Sequence, residues 1–119
     1  CENGCISRPR TDENKTQSSP YKPLVDKQFG GLGGAILTIR AGSREKAFKL
    51  INSLKYAHIA TNIGDLRTLV IHPSSTIYLH STKEEQEHAG VYEDTIRISV
   101  GIEDVEDLIA DFTQAIENI

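Results

Sequence analysis

TIRISVGIEDVEDLIADFTQAIENI, Thr95 to Ile119, decides the fold. In its first six residues Ile96, Ile98 and Val100 alternate with Thr95, Arg97 and Ser99, the period of two that sends successive side chains to opposite faces of a strand. The period then changes. Ile102, Val105, Leu108, Ile109, Phe112, Ala115, Ile116 and Ile119 recur at helical spacing. Asp104, Glu106 and Asp107 crowd the start of that helix, where the backbone dipole favours negative charge. A half-buried strand running into an amphipathic helix is the unit around which the rest arranges itself.

Working back from there, Lys83–His88 reads as a short helix. Ser81 or Thr82 caps it with a glutamate three positions on, and Gly90 ends it. Leu69–His72 is an apolar strand stopped by Pro73. Tyr56–Thr61 is a short extended segment. Ser43 caps a helix that runs to about Lys55, with Phe48, Ile51 and Leu54 (and Ala47 and Leu50) on its apolar face. Ala35–Arg40 is a strand bounded by glycines. The sum predicts a small α+β domain, a mostly antiparallel sheet of three or four strands with helices on one face. That packing puts Arg97 on the opposite, uncovered face.

Residues 1–28 differ in kind. They are rich in Asn, Ser, Thr, Arg and Asp and nearly free of apolar side chains up to Pro20, and they read as a disordered leader or linker before a domain over 29–119. A chain of 119 residues that starts at Cys1 without a methionine reads as a processed product or a fragment. Gly30-Gly31-Leu32-Gly33-Gly34 reads as a hinge. A phosphate loop would follow a strand and open a helix, and here the glycines precede a strand.

The charge balance narrows the function. The net charge is -4. Residues 1–28 carry five basic and four acidic side chains, which leaves eight against thirteen, or -5, for the remainder. An acidic globule is a poor partner for phosphate backbones, which argues against nucleic acid. No apolar run approaches the roughly 18 residues of a membrane span, and the N-terminus has no apolar signal-peptide core.

Among candidate sites, Arg97 stands first. An arginine fixed on a strand presents a rigid fork matched to a carboxylate, although spacing alone favours a solvated or salt-bridged surface arginine. His58, His72, His80 and His88 form no tight ligand pair. Ser81-Thr82-Lys83 is explained by capping rather than by catalysis, and Glu103-Asp104 and Glu106-Asp107 by helix-start electrostatics rather than by acid–base work. Cys1 and Cys5 read as incidental thiols, with a local disulfide or a metal site as alternatives. Asn14-Lys15-Thr16 is a glycosylation sequon, meaningful only in a secreted protein.

From about Phe29 to Ile116 the order of segments resembles the C-terminal domain of the Cys/Met-metabolism enzymes that use pyridoxal phosphate, on the O-acetylhomoserine sulfhydrylase side of that family. The resemblance rests on Phe29-Gly30-Gly31, the INSLK run Ile51–Lys55, the NIGD run Asn62–Asp65, the HPSST run His72–Thr76 and the IRISVGIED run Ile96–Asp104. It implies the C-terminal domain fold of the fold-type I transferases. It also implies a cytoplasmic homotetrameric transferase or lyase that makes homocysteine from O-acetylhomoserine and sulfide. By the same resemblance Arg97 binds the α-carboxylate of the amino-acid substrate. Asn62 stands where other branches carry a serine that helps hold that carboxylate. The cofactor's lysine, phosphate-binding residues and stacking tyrosine lie upstream of the resembling segment in the family. The resemblance therefore implies a substrate-holding part, inactive without an N-terminal cofactor domain. Two other readings stand beside it: a non-catalytic, secreted protein that reuses the domain, and a small amino-acid-binding module built on Arg97.

Overall fold

In a computed structural model of the protein, residues 22–30 and 34–119 are described. Cys1, Cys5, the Asn14 sequon and the middle of the glycine stretch lie outside them.

A first helix, α1, spans Lys22–Phe29, and Gly30 follows it with a φ of 60°. The sequence expectation ran a disordered leader or linker through residue 28, with Tyr21 to Gln28 as a transition, and the helix occupies most of that transition. The strand β1, Ile36–Arg40, comes next. Helix α2, Arg44–Ser53, begins at Ser43, whose hydroxyl accepts the N–H of Lys46. It ends two residues before the expected stop. The strands β2, His58–Ile59, and β3, Leu69–Ile71, are separated by a long loop. A 3-10 turn at Pro73–Ser75 follows β3 directly, as the proline demands. Helix α3, Lys83–His88, carries the full reciprocal cap between Thr82 and Glu85. Strand β4, Thr95–Ser99, and helix α4, Val105–Glu117, complete the fold, with Asp104 as the N-cap of α4.

The sheet order is β1-β4-β3-β2. The strand β4 is central and antiparallel to both β1 and β3, while β2 pairs with β3 in parallel. The α+β expectation holds, with one short parallel pairing added to the antiparallel majority.

Packing follows the alternation. Ile96 and Ile98 of β4 and Val70 of β3 pack with Ala47, Leu50 and Ile51 of α2 and Ala115 of α4 in a single cluster. Leu37 and Ile39 of β1 and Phe112 of α4 pack against it. Removing these side chains from water is the main driving force for the fold. The apolar residues of α4 do not all join in. Leu108 and Ala115 are buried, but Val105, Ile109 and Ile116 are exposed, as is Ile102 in the turn before the helix. The helical period holds from Val105 to Ile116, with Ile102 and Ile119 outside the helix, and the apolar face is wider than what the sheet covers.

The far face of the sheet corrects the sequence expectation. Ser99 and Thr95 of β4 and Leu69 and Ile71 of β3 are all buried although they point away from α2 and α4. Over β1 the same face is open, with Ile36, Thr38 and Arg40 exposed. Arg97 sits between the covered half and the open half.

Candidate functional site

Arg97 is the middle residue of the central strand, with Thr38 of β1 and Ile71 of β3 as its cross-strand neighbours. The loop between β2 and β3 arches over it. Arg97 Nη2 donates to the carbonyl of Thr61 at 2.7 Å and to that of Asn62 at 3.1 Å. Its Nε is buried and has no hydrogen-bond partner among the described residues. A buried donor of a charged group left unpaired is costly. Nε shares its edge of the guanidinium with Nη2, whose hydrogens go to the loop carbonyls, so the group is held from that side. The backbone spends one part of the guanidinium on positioning and leaves another part unspent.

Asn62 contributes through its backbone. Its side chain is exposed, and its carbonyl oxygen accepts from Arg97. The structure therefore brings the two sequence-derived site residues together.

The loop is held by alternate residues of Arg97, Ser99, Gly101 and Glu103. Ser99 Oγ accepts the N–H of Gly64 at 3.2 Å, and Gly64 has a φ of 77°, a conformation few other residues adopt. At Gly101 a Cβ would lie 2.4 Å from the carbonyl oxygen of Leu66, so only glycine lets the two backbones approach. The Gly101 N–H donates to Thr68 Oγ1 at 3.0 Å. Glu103 accepts from the Thr68 N–H and, at 2.8 Å, from the Thr68 hydroxyl. Burial, the largest influence on Glu103, works to raise its pKa, but these hydrogen bonds outweigh it and hold the carboxyl below its ordinary value.

Sequence reasoning missed Glu103. It grouped Glu103 with Asp104 as helix-start charge, whereas only Asp104 caps α4, accepting from the Glu106 N–H at 2.8 Å. The period of two running on past Val100 was the signal that could have separated them.

The HPSST run has a different job. His72 is buried, and its Nε2 lies 2.7 Å from the Glu93 carbonyl oxygen. A carbonyl only accepts, so Nε2 carries the proton of that bond. The other ring nitrogen lies 2.8 Å from Ser75 Oγ. Thr76 Oγ1 donates back to the His72 carbonyl at 2.8 Å and Ser74 Oγ to Gln86 of α3 at 2.8 Å. The run ties the end of β3 to α3.

Lys27, Lys46, Lys49, Lys55 and Lys83 are all exposed. None occupies the desolvated pocket that favours a Schiff-base lysine. These five lysines thus do not fit the covalent anchor of pyridoxal phosphate, whereas Arg97 fits a carboxylate clamp. Among them no cluster of His, Cys, Asp and Glu suits a metal ion, and no helix is long and apolar enough to cross a membrane.

A sequence model of the Cys/Met metabolism PLP-dependent enzymes matches residues 15–117. This match begins upstream of Phe29, where the motif resemblance starts. The homocysteine synthase of Schizosaccharomyces pombe is 49% identical over 95 residues, covering 79% of this chain and 22% of that protein. Cystathionine gamma-lyase from yeast superposes with a TM-score of 0.83 at 32% identity, over 96% of this chain and 28% of the other. A Campylobacter jejuni protein assigned as an O-acetylhomoserine (thiol)-lyase superposes with a TM-score of 0.74 at 38% identity, over 84% of this chain and 24% of the other. The crystal structure of that protein carries N'-pyridoxyl-lysine-5'-monophosphate. The chain spans about a quarter of the length of these relatives.

Proposed function

Because the chain belongs to the Cys/Met metabolism PLP-dependent enzyme family, we propose that it is the C-terminal substrate-holding part of an O-acetylhomoserine sulfhydrylase. The reaction replaces the acetate of O-acetylhomoserine by sulfide, giving homocysteine and acetate. In this reading Arg97 binds the α-carboxylate of the amino acid, and the backbone of Asn62 borders the same site.

The observation that carries the reading is the half-buried guanidinium of Arg97, anchored among the described residues through Nη2 alone to two loop carbonyls. A substrate carboxylate meets a planar charged group already fixed in place by the Thr61 and Asn62 carbonyls. The entropy of ordering the arginine is largely spent before substrate arrives. The similarity to a homocysteine synthase and to an O-acetylhomoserine (thiol)-lyase supports the choice of substrate.

The family's cofactor supplies an electron sink for the loss of one group and the addition of another. No residue of this chain is assigned to holding it. The part played here is to bind and orient the amino acid. We place the domain at 29–119 with α1 leading into it, and the chain alone is inactive. The full protein is a cytoplasmic homotetramer in which an N-terminal domain provides the cofactor lysine.

The coding sequence upstream of Cys1 tests this directly. A cofactor-binding domain joined in frame, whose product turns over O-acetylhomoserine and sulfide, is the expected result. A secretion signal immediately before Cys1 overturns it.

A further inference from the structure

We propose that Glu103, acting through Thr68, is a positioning residue for Arg97. The inference deepens the proposed function, since it concerns how the carboxylate clamp is held.

Arg97 draws its orientation from the carbonyls of Thr61 and Asn62, which belong to a loop rather than to the sheet. A loop holds a carbonyl in place only as firmly as its own ends are held. The N-terminal end is secured by the parallel pairing, where the Ala60 N–H donates to the Val70 carbonyl at 3.3 Å. The C-terminal end depends on Thr68, which is fully buried. Both its N–H and its hydroxyl donate to the Glu103 carboxylate, and its hydroxyl oxygen accepts from Gly101. The Ile102 N–H adds a bond to the Leu66 carbonyl at 3.0 Å. The turn after β4 is thereby fastened to residues 66–68. The residues from 61 to 65 are left to arch back over Ser99 and Arg97.

Four positions two apart in the sequence thus serve one end. Arg97 is the clamp, Ser99 and Gly101 hold the loop and admit it closely, and Glu103 fastens its far end. The carboxylate is required because both Thr68 groups donate. An amide in its place presents one oxygen and one NH2, and the NH2 faces a donor.

The test uses nitrogen-detected NMR of the Arg97 Nε–H in the full chain, with Glu103→Gln and with Thr68→Val, which keeps the shape and removes the hydroxyl. Each variant is expected to speed exchange of that proton with water about 10-fold, the scale of coupling between neighbours in one network. Thr68→Ser restores the slow rate. Unchanged exchange in folded Glu103→Gln and Thr68→Val proteins overturns the inference. In the full-length enzyme, Glu103→Gln raises KM for the amino acid about 10-fold with kcat little changed, and adds almost nothing once Arg97 is lysine, as coupled sites require. Multiplying effects in the double variant also overturn it. An Arg97→Lys enzyme with unchanged KM sinks the carboxylate reading instead, and leaves the NMR result to decide the role of Glu103.

Discussion

Arg97 Nη2 and the carbonyl oxygen of Thr61 are 2.7 Å apart. That one bond joins the central strand to a loop whose residues are exposed from Thr61 to Arg67. It turns a flexible side chain into a fixed fork. The bonds flanking it along β4 and the following turn make the loop dependable enough for that task, and they yield consequences that can be measured.

At Gly101, any side chain meets the Leu66 carbonyl, with an added Cβ only 2.4 Å away. The obstacle is the backbone of Leu66 and Arg67 with the Glu103 carboxylate beside it, so relief requires the turn and the loop to separate. Gly101→Ala is expected to cost on the order of 2–3 kcal/mol, in the range of overpacking substitutions. A urea titration checks the stability, and amide exchange at Gly64 and Thr68 checks that the loop is what loosens.

Asp111 of α4 is buried and accepts the N–H groups of Lys55 and Tyr56 at 2.9 Å each. Its pKa is lowered: burial is the largest influence and pushes upward, but the bonds from Tyr56, Lys55, Gln114 and Ala57 outweigh it. A carboxyl whose folded pKa lies below its unfolded value contributes stability above the unfolded value, about pH 4, and loses it as pH falls through the folded one. Asp111→Ala leaves these donors without their acceptor and is expected to cost about 3 kcal/mol near pH 7. The difference between wild type and variant shrinks below about pH 4. Urea midpoints at pH 7 and pH 3 read both effects. A difference of equal size at the two pH values contradicts them.

The strand β4 and both side-chain caps, Ser43 and Thr82, were legible in the sequence. Alternation and capping are local codes, and each is written in residues adjacent to the structure they specify. The loop over Arg97 was not. Its work is done by the carbonyls of Thr61 and Asn62 and the N–H of Gly64, groups that every sequence has and no side chain announces. The parallel pairing of His58 and Ile59 with β3 was equally hidden, because a strand of two residues shows no period. Ile109 and Ile116 show a further limit. Helical spacing places them on an apolar face, but only the packing shows that the sheet does not reach them.

Adding pyridoxal phosphate to the purified chain is expected to give no saturable aldimine absorption band. Lys27, Lys46, Lys49, Lys55 and Lys83 are exposed, and an exposed amine in water offers the aldehyde no preorganised site. Absorption spectra across a cofactor titration check this. A one-to-one saturable band contradicts the assignment of the lysine to another part of the protein.

The claim that Arg97 holds the substrate carboxylate is tested most directly by KM for O-acetylhomoserine in the full-length enzyme, wild type against Arg97→Lys. Lysine keeps the charge and loses the planar fork. Charge-assisted bonds of this kind contribute about 3 kcal/mol, so KM is predicted to rise about 100-fold. An unchanged KM would contradict the account.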